Sequence, residues 1–144
     1  MKKSIVFTLL LSCFSFIGFA KADKVIDAKD LPARAVEFIQ KRFDKSKILY
    51  AKSDGLMNAK EYEVVLSSSE VIEFDRSGRW TEIIAKKNGV PKDVIPKVIK
   101  PYLKENHPEE KVQKIERNKK GFEIELENDL ELTFNKEGKF MIHD

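Results

Sequence analysis

With 144 residues, 27 basic against 24 acidic side chains and a formal net charge of +3, the chain has room for one domain or two very small ones. Lys2, Lys3 and Lys21 all fall in a leader-like first segment that holds no acid. Removing those three from the 27 leaves 24, which balances the 24 acids and excludes the lasting basic excess that a nucleic-acid binder needs.

The leader reading rests on three features. Lys2 and Lys3 form a basic start, residues 5–19 are an apolar run, and Ala20-Lys21-Ala22 puts small residues at both positions a signal peptidase inspects. The run is short for a spanning helix, which takes about 20 apolar residues. Residues 1–22 are therefore expected to be a cleaved signal peptide that leaves no membrane span and sends the protein to the periplasm. Cys13, in Leu-Leu-Ser-Cys, offers an alternative, lipoprotein anchoring. The apolar residues that follow it do not resemble a polar tether, so cleavage after Ala22 is preferred. With Cys13 removed, no cysteine remains, and thiol chemistry and disulfides are excluded.

A helix comes next. Asp30 is the expected N-cap, Pro32 sits in the first turn, and Leu31, Ala35, Phe38, Ile39 and Phe43 recur at helical spacing. In residues 61–66, Tyr62, Val64 and Leu66 alternate with Glu61, Glu63 and Val65, the signature of a half-buried antiparallel strand. The loop Ser67-Ser68-Ser69 then returns the chain, setting Val64 opposite Ile72 and Tyr62 opposite Phe74. The stretch FDRSGRW (residues 74–80) reads as a hairpin with Gly78 in the left-handed conformation. It places Phe74 opposite Trp80 on the core side and Asp75 opposite Arg79 on the wet side. A short turn-rich junction, AKKNGVPKD (residues 85–93), follows.

The pattern is then written again. Residues 95–112 align without gaps on residues 31–48, with Pro96 on Pro32 and Tyr102 on Phe38. A second helix is expected through Ile95, Ile99, Tyr102 and Leu103, kinked near Lys97 by Pro101. After a four-residue shift around residues 55–58, residues 121–140 match residues 61–80, with Gly138, Phe134 and Phe140 rebuilding the hairpin. The expected organisation is a signal peptide at 1–22 and two repeats at 23–86 and 87–144. The fold class is α+β: a tandem repeat of α-β-β-β-β units, an antiparallel sheet with helices packed on one face. Each unit is small for a core of its own.

An opening Leu-Pro or Ile-Pro helix, a Tyr/Phe-Glu-Val/Ile-x-Leu strand and a Glu-Ile/Leu-x-Phe-Asp/Asn-x-x-Gly-x-Trp/Phe hairpin, twice over, resemble the PepSY-like, β-lactamase-inhibitor-like family of small exported bacterial proteins. The resemblance runs from about Leu31 to the end. It implies two αβ units whose sheets combine, helices on one side and an open sheet face on the other, the kind of face with which the β-lactamase inhibitor protein grips its enzyme. It carries over no catalytic residues. Ser69 and Asp129 stand where the family's turn would have Gly, and Asn135 replaces Asp.

Chemistry-bearing patterns are sparse. His107 and His143 are the two histidines. There is no cysteine for a zinc site, no phosphate loop and no nucleophile elbow. Hence no catalytic residue, resident metal or cofactor is assigned, and the expectation is a non-enzymatic binding or inhibitor-like protein whose partner is an envelope protein. Strict alternation gives the first unit's wet face Glu63, Val65, Val71, Glu73, Thr81 and Ile83, with Val65, Val71 and Ile83 as an aliphatic patch. The second unit shows Glu123, Glu125, Glu131, Thr133, Met141 and His143, and neither unit shows an exposed aromatic. Glu125 opposite Glu131, with His143 beside them, is the alternative site, for a cation or small ligand. A carboxylate pair in register destabilises a sheet unless a cation, Lys114, Arg117 or Lys139 compensates it.

Overall fold

The structure, a computed structural model, describes residues 24–54 and 61–141. The leader with Cys13 and the cleavage site, the shift at residues 55–58 and His143 lie outside those residues. Among the described residues, no helix is long and apolar enough to cross a membrane.

Each strand pairs with the next one in the chain. β1 (Lys24–Val25), β2 (Ile48–Asp54), β3 (Glu61–Leu66), β4 (Val71–Phe74), β5 (Trp80–Ile84), β6 (Val112–Arg117), β7 (Gly121–Leu126), β8 (Glu131–Asn135) and β9 (Phe140–Met141) form one antiparallel sheet in sequence order. Two helices, α1 (Ala33–Arg42) and α2 (Lys100–Asn106), lie on one face of it. The expected strand register holds at Val64 with Ile72, Tyr62 with Phe74, Ile124 with Leu132 and Phe122 with Phe134. Each helix then rests an aromatic on its own hairpin. Phe38 meets Phe74 edge-on with centroids 6.0 Å apart, and Tyr102 lies 5.2 Å from Phe134 and 4.9 Å from Phe140.

The turns are built alike in both halves. The Leu66 amide donates to the Glu70 carbonyl and the Leu126 amide to the Leu130 carbonyl. The Asp75 carboxylate accepts from the amides of Ser77 and Arg79, and the Asn135 carbonyl oxygen does the same for Glu137 and Lys139. Asn thus replaces Asp without loss, because the turn needs an acceptor rather than a charge. Gly78 and Gly138 have φ of 77° and 82°. A Cβ at Gly138 would meet the Val98 carbonyl oxygen at 2.3 Å, so each hairpin tip tucks under the start of a helical segment.

Three expectations change. Asp30 ends a short 3-10 turn capped by Asp27, and α1 begins at Ala33 because the Pro32 carbonyl accepts from Ala35 and Val36. Pro101 does not kink a helix; it lies in the first turn of α2, where a missing N–H is harmless, and residues 91–99 form turns anchored by buried Val94, Ile95 and Ile99. Ile83 does not face solvent. A bulge makes Thr81 the extra residue, so Phe74 pairs with Trp80 but Ile72 with Ile83, and Ile83 is fully buried. Ile84 takes the outward place opposite Val71.

Two stability measurements check this account. In urea unfolding Ile83→Ala should cost about 2–5 kcal/mol, whereas Ile84→Ala should stay within about 1 kcal/mol. Equal losses would place the bulge elsewhere. Ser69 and Asp129 hold φ of 79° and 62°, a conformation that costs a residue with a Cβ about 1 kcal/mol. Ser69→Gly should therefore raise the urea midpoint.

Candidate functional site

The face opposite the helices is organised in two rows that cross the strands. In the first, Tyr50 stands beside Val65, Val65 beside Val71 and Val71 beside Ile84. The row continues through Lys114 and Glu125 to Glu131. Its first half is apolar and its second half charged. Of the predicted patch, Val65 and Val71 are where they were expected and Ile83 is not. Tyr50, 38% exposed, adds the aromatic the sequence reading denied to this face. It was missed because no strand was assigned over residues 48–54, where a bulge between Ile48 and Tyr50 interrupts the alternation.

The second row is a run of carboxylates. Glu63 faces Glu73, Glu73 faces Glu82, Glu82 faces Glu116 and Glu116 faces Glu123, on five successive strands. Like charges in register repel, and the flanks are relieved by lysines. Lys52 lies 3.4 Å from Glu63 and Lys114 2.6 Å from Glu82. The Lys114 ammonium is held above its ordinary value chiefly by that hydrogen bond. Glu73, in the middle, has its carboxyl pushed up by burial first and then by Glu82 and Glu63.

The expected carboxylate pair is present, with Glu125 opposite Glu131. The cation that relieves it is Lys86, from the junction after β5, which pairs with Glu125. Lys114, in register beside Glu125, adds a weaker attraction, and Arg117 adds none. Lys114 serves Glu82, and Arg117 lies on the other face, its guanidinium carbon 4.4 Å from the centre of the Trp80 ring and a nitrogen donating to the Trp80 carbonyl. Among the described residues, no group of three or more His, Cys, Asp or Glu side chains could hold a metal ion.

On the helix side the sequence reading missed a buried carboxylate. Glu70 is 3% exposed. It accepts from the Ser68 hydroxyl and, at 2.8 Å, from the Asn88 amide, while Ser68 also meets Ser46. The cluster ties the loop before β2, the β3–β4 turn and the junction to one another.

One antiparallel sheet with helices on one side and an apolar-and-acidic open face on the other defines the class of the fold, α+β. Within that class the chain belongs to the PepSY-like family, "putative beta-lactamase-inhibitor-like", whose sequence profile matches residues 60–142. Solved structures resemble it closely. A "putative periplasmic protein of unknown function" from Bacteroides vulgatus is 39% identical, with TM-score 0.79, covering 83% of this chain and 97% of that one. A "putative calcium-regulated periplasmic protein" from Bacteroides thetaiotaomicron is 38% identical, with TM-score 0.79, covering 85% and 96%. A second "putative periplasmic protein" of Bacteroides vulgatus is 36% identical, with TM-score 0.82, covering 87% and 98%. No curated protein matches the chain.

The raised Glu73 carboxyl has a pH consequence. Its ionisation in the folded state is penalised at all pH values above its folded titration range. The penalty is relieved as pH falls through that range toward the unfolded value, near pH 4. Glu73→Gln should therefore raise the melting temperature at pH 7, and the gain should vanish by about pH 4. A gain that persists unchanged at pH 4 would show that the effect is not electrostatic.

Proposed function

We propose that the protein is a non-catalytic periplasmic binding protein, exported by the cleaved signal at residues 1–22, that engages an envelope protein through its open sheet face. One observation carries this reading: the apolar row Tyr50, Val65, Val71 and Ile84 runs directly beside the carboxylate row Glu63, Glu73, Glu82, Glu116 and Glu123. An apolar strip gives contact area, and an adjoining line of one charge gives orientation and a salt-sensitive encounter. Similarity to structures described as periplasmic supports the location. The matched turns and helix–hairpin contacts support two repeats, 23–86 and 87–144, with the apolar strip in the first and the denser charge in the second. Tight inhibitory interfaces concentrate energy in several Trp, Tyr and Arg anchors. This face offers Tyr50 alone, so affinity is modest and tight β-lactamase inhibition does not occur.

A photo-crosslinking amino acid at Val71 tests the reading in the native envelope. It should give one dominant adduct with another exported protein, identifiable by mass spectrometry and weakened by salt. Tyr50→Ala should abolish the adduct, and Tyr50→Ala and Val71→Lys should each leave the melting temperature unchanged. No adduct, or a fall in stability on Val71→Lys, would show the strip to be structural.

A second reading has its own support. Glu125 and Glu131, with His143 near the end of the chain, form a cation or small-ligand site, favoured by the opposed carboxylates and by the calcium regulation ascribed to the Bacteroides thetaiotaomicron relative. Calcium titration by calorimetry should show saturable binding that Glu125→Gln with Glu131→Gln removes. Heats indistinguishable from dilution would eliminate it.

A further inference from the structure

On the helix side, a groove of about 1280 Å³ opens between the C-terminal end of α1 and α2, over the connection from β5 to β6. It exceeds the roughly 300–1,000 Å³ of ordinary small-molecule sites. Its floor is apolar: Phe43, Val90, Ile95 and Val112 keep 6–8% of their surface exposed, more than most core residues, and half-buried Leu103 adds to it. Lysines make its rim, with Lys45 and Lys92 on the loops, Lys100 and Lys104 on α2 and Lys111 before β6. Arg42, also lining it, is neutralised by Asp93. Among the described residues none of those five lysines makes an ion pair.

The groove also has acids. Glu70 is buried and satisfied by Ser68 and Asn88, which leaves Asp44, Glu109 and Glu110 against the five lysines. Lys100 and Lys104 stand one turn apart on the same helix face, a like-charge spacing that destabilises an isolated helix. An anion between them would relieve it. The apolar side chains are recessed below the lysines rather than projecting beyond them, which suits a chain entering the groove and not a membrane surface. From these features we infer that the groove binds a free single-chain amphiphile, with its apolar tail on the floor and its anionic head held by Lys100 and Lys104.

The protein in its exported form, titrated with the fluorescent fatty acid 11-(dansylamino)undecanoate, tests this. Emission should rise saturably with one site per chain, and laurate should displace the probe at least about tenfold better than dodecanol. Lys100→Glu with Lys104→Glu should weaken binding by about tenfold or more, and Lys100→Ala with Lys104→Ala should weaken it in the same direction at an unchanged melting temperature. Tyr50→Ala and Val71→Lys, on the opposite face, should leave it intact, so that this site and the sheet-face reading stand or fall separately. Four outcomes would overturn the inference: no saturable enhancement, equal displacement by laurate and dodecanol, undiminished binding in folded lysine variants, or binding to phosphatidylglycerol vesicles or an acidic peptide in place of the fatty acid.

Discussion

The ladder between β5 and β6 is the contact on which the rest of the structure depends. Through it Ile83 pairs with Ile115, Glu82 with Glu116 and Ile84 with Lys114, and both isoleucines are fully buried. Without this pairing the chain would be two small sheets, each with one helix and an exposed edge. With it, the cores on the helix side become one continuous cluster from Leu31 to Phe134. Arg117 reinforces the seam from the second half by stacking on Trp80 of the first and bonding its carbonyl. The same pairing carries both rows of the open face across the middle of the molecule, because register at the seam aligns outward residues as firmly as inward ones.

Much of this was legible in the sequence, for a physical reason. Alternation of apolar and polar residues in β3 and β7, and the glycine-bearing hairpins after β4 and β8, are local signals fixed by the pleat and by backbone sterics. They correctly set Tyr62 against Phe74 and Phe122 against Phe134. What failed was strict alternation through a bulge. In Trp80-Thr81-Glu82-Ile83, an inward Trp80 without a bulge would also put Glu82 in the core, where a carboxylate without a partner costs several kcal/mol. That conflict was visible in the residues and could have flagged Thr81. Tyr50 was missed because no strand was assigned over residues 48–54, where a similar bulge interrupts the alternation. Glu70 left no such trace, because its partner Asn88, and Ser46 that reaches it through Ser68, come from separate loops that no local pattern brings together.

Charge is not uniform over the molecule. The 24 acids and the 24 bases outside residues 1–22 are equal in number, yet seven of the glutamates gather on the open face along two rows, and five lysines gather around the groove behind it. Neutrality overall therefore coexists with two faces of opposite sign. At physiological ionic strength a charge is screened beyond roughly 8 Å, so near either face the field is set by that face and not by the total charge.

Segregation of this kind has a cost that falls inside the fold. Glu73 is flanked by Glu63 and Glu82 in register, and its carboxyl is pushed up by burial and by those neighbours. The nearest relief, Lys114 on Glu82 and Lys52 on Glu63, acts on the flanks and leaves the centre uncompensated. Threonine or valine at position 73 would suit a half-buried strand better. A side chain that weakens the isolated sheet yet completes an unbroken line of charge makes sense where something of opposite sign lies against that line. In the proposed binding role the apolar strip of Tyr50, Val65, Val71 and Ile84 beside it would supply the area, and the carboxylates the direction from which a partner is drawn.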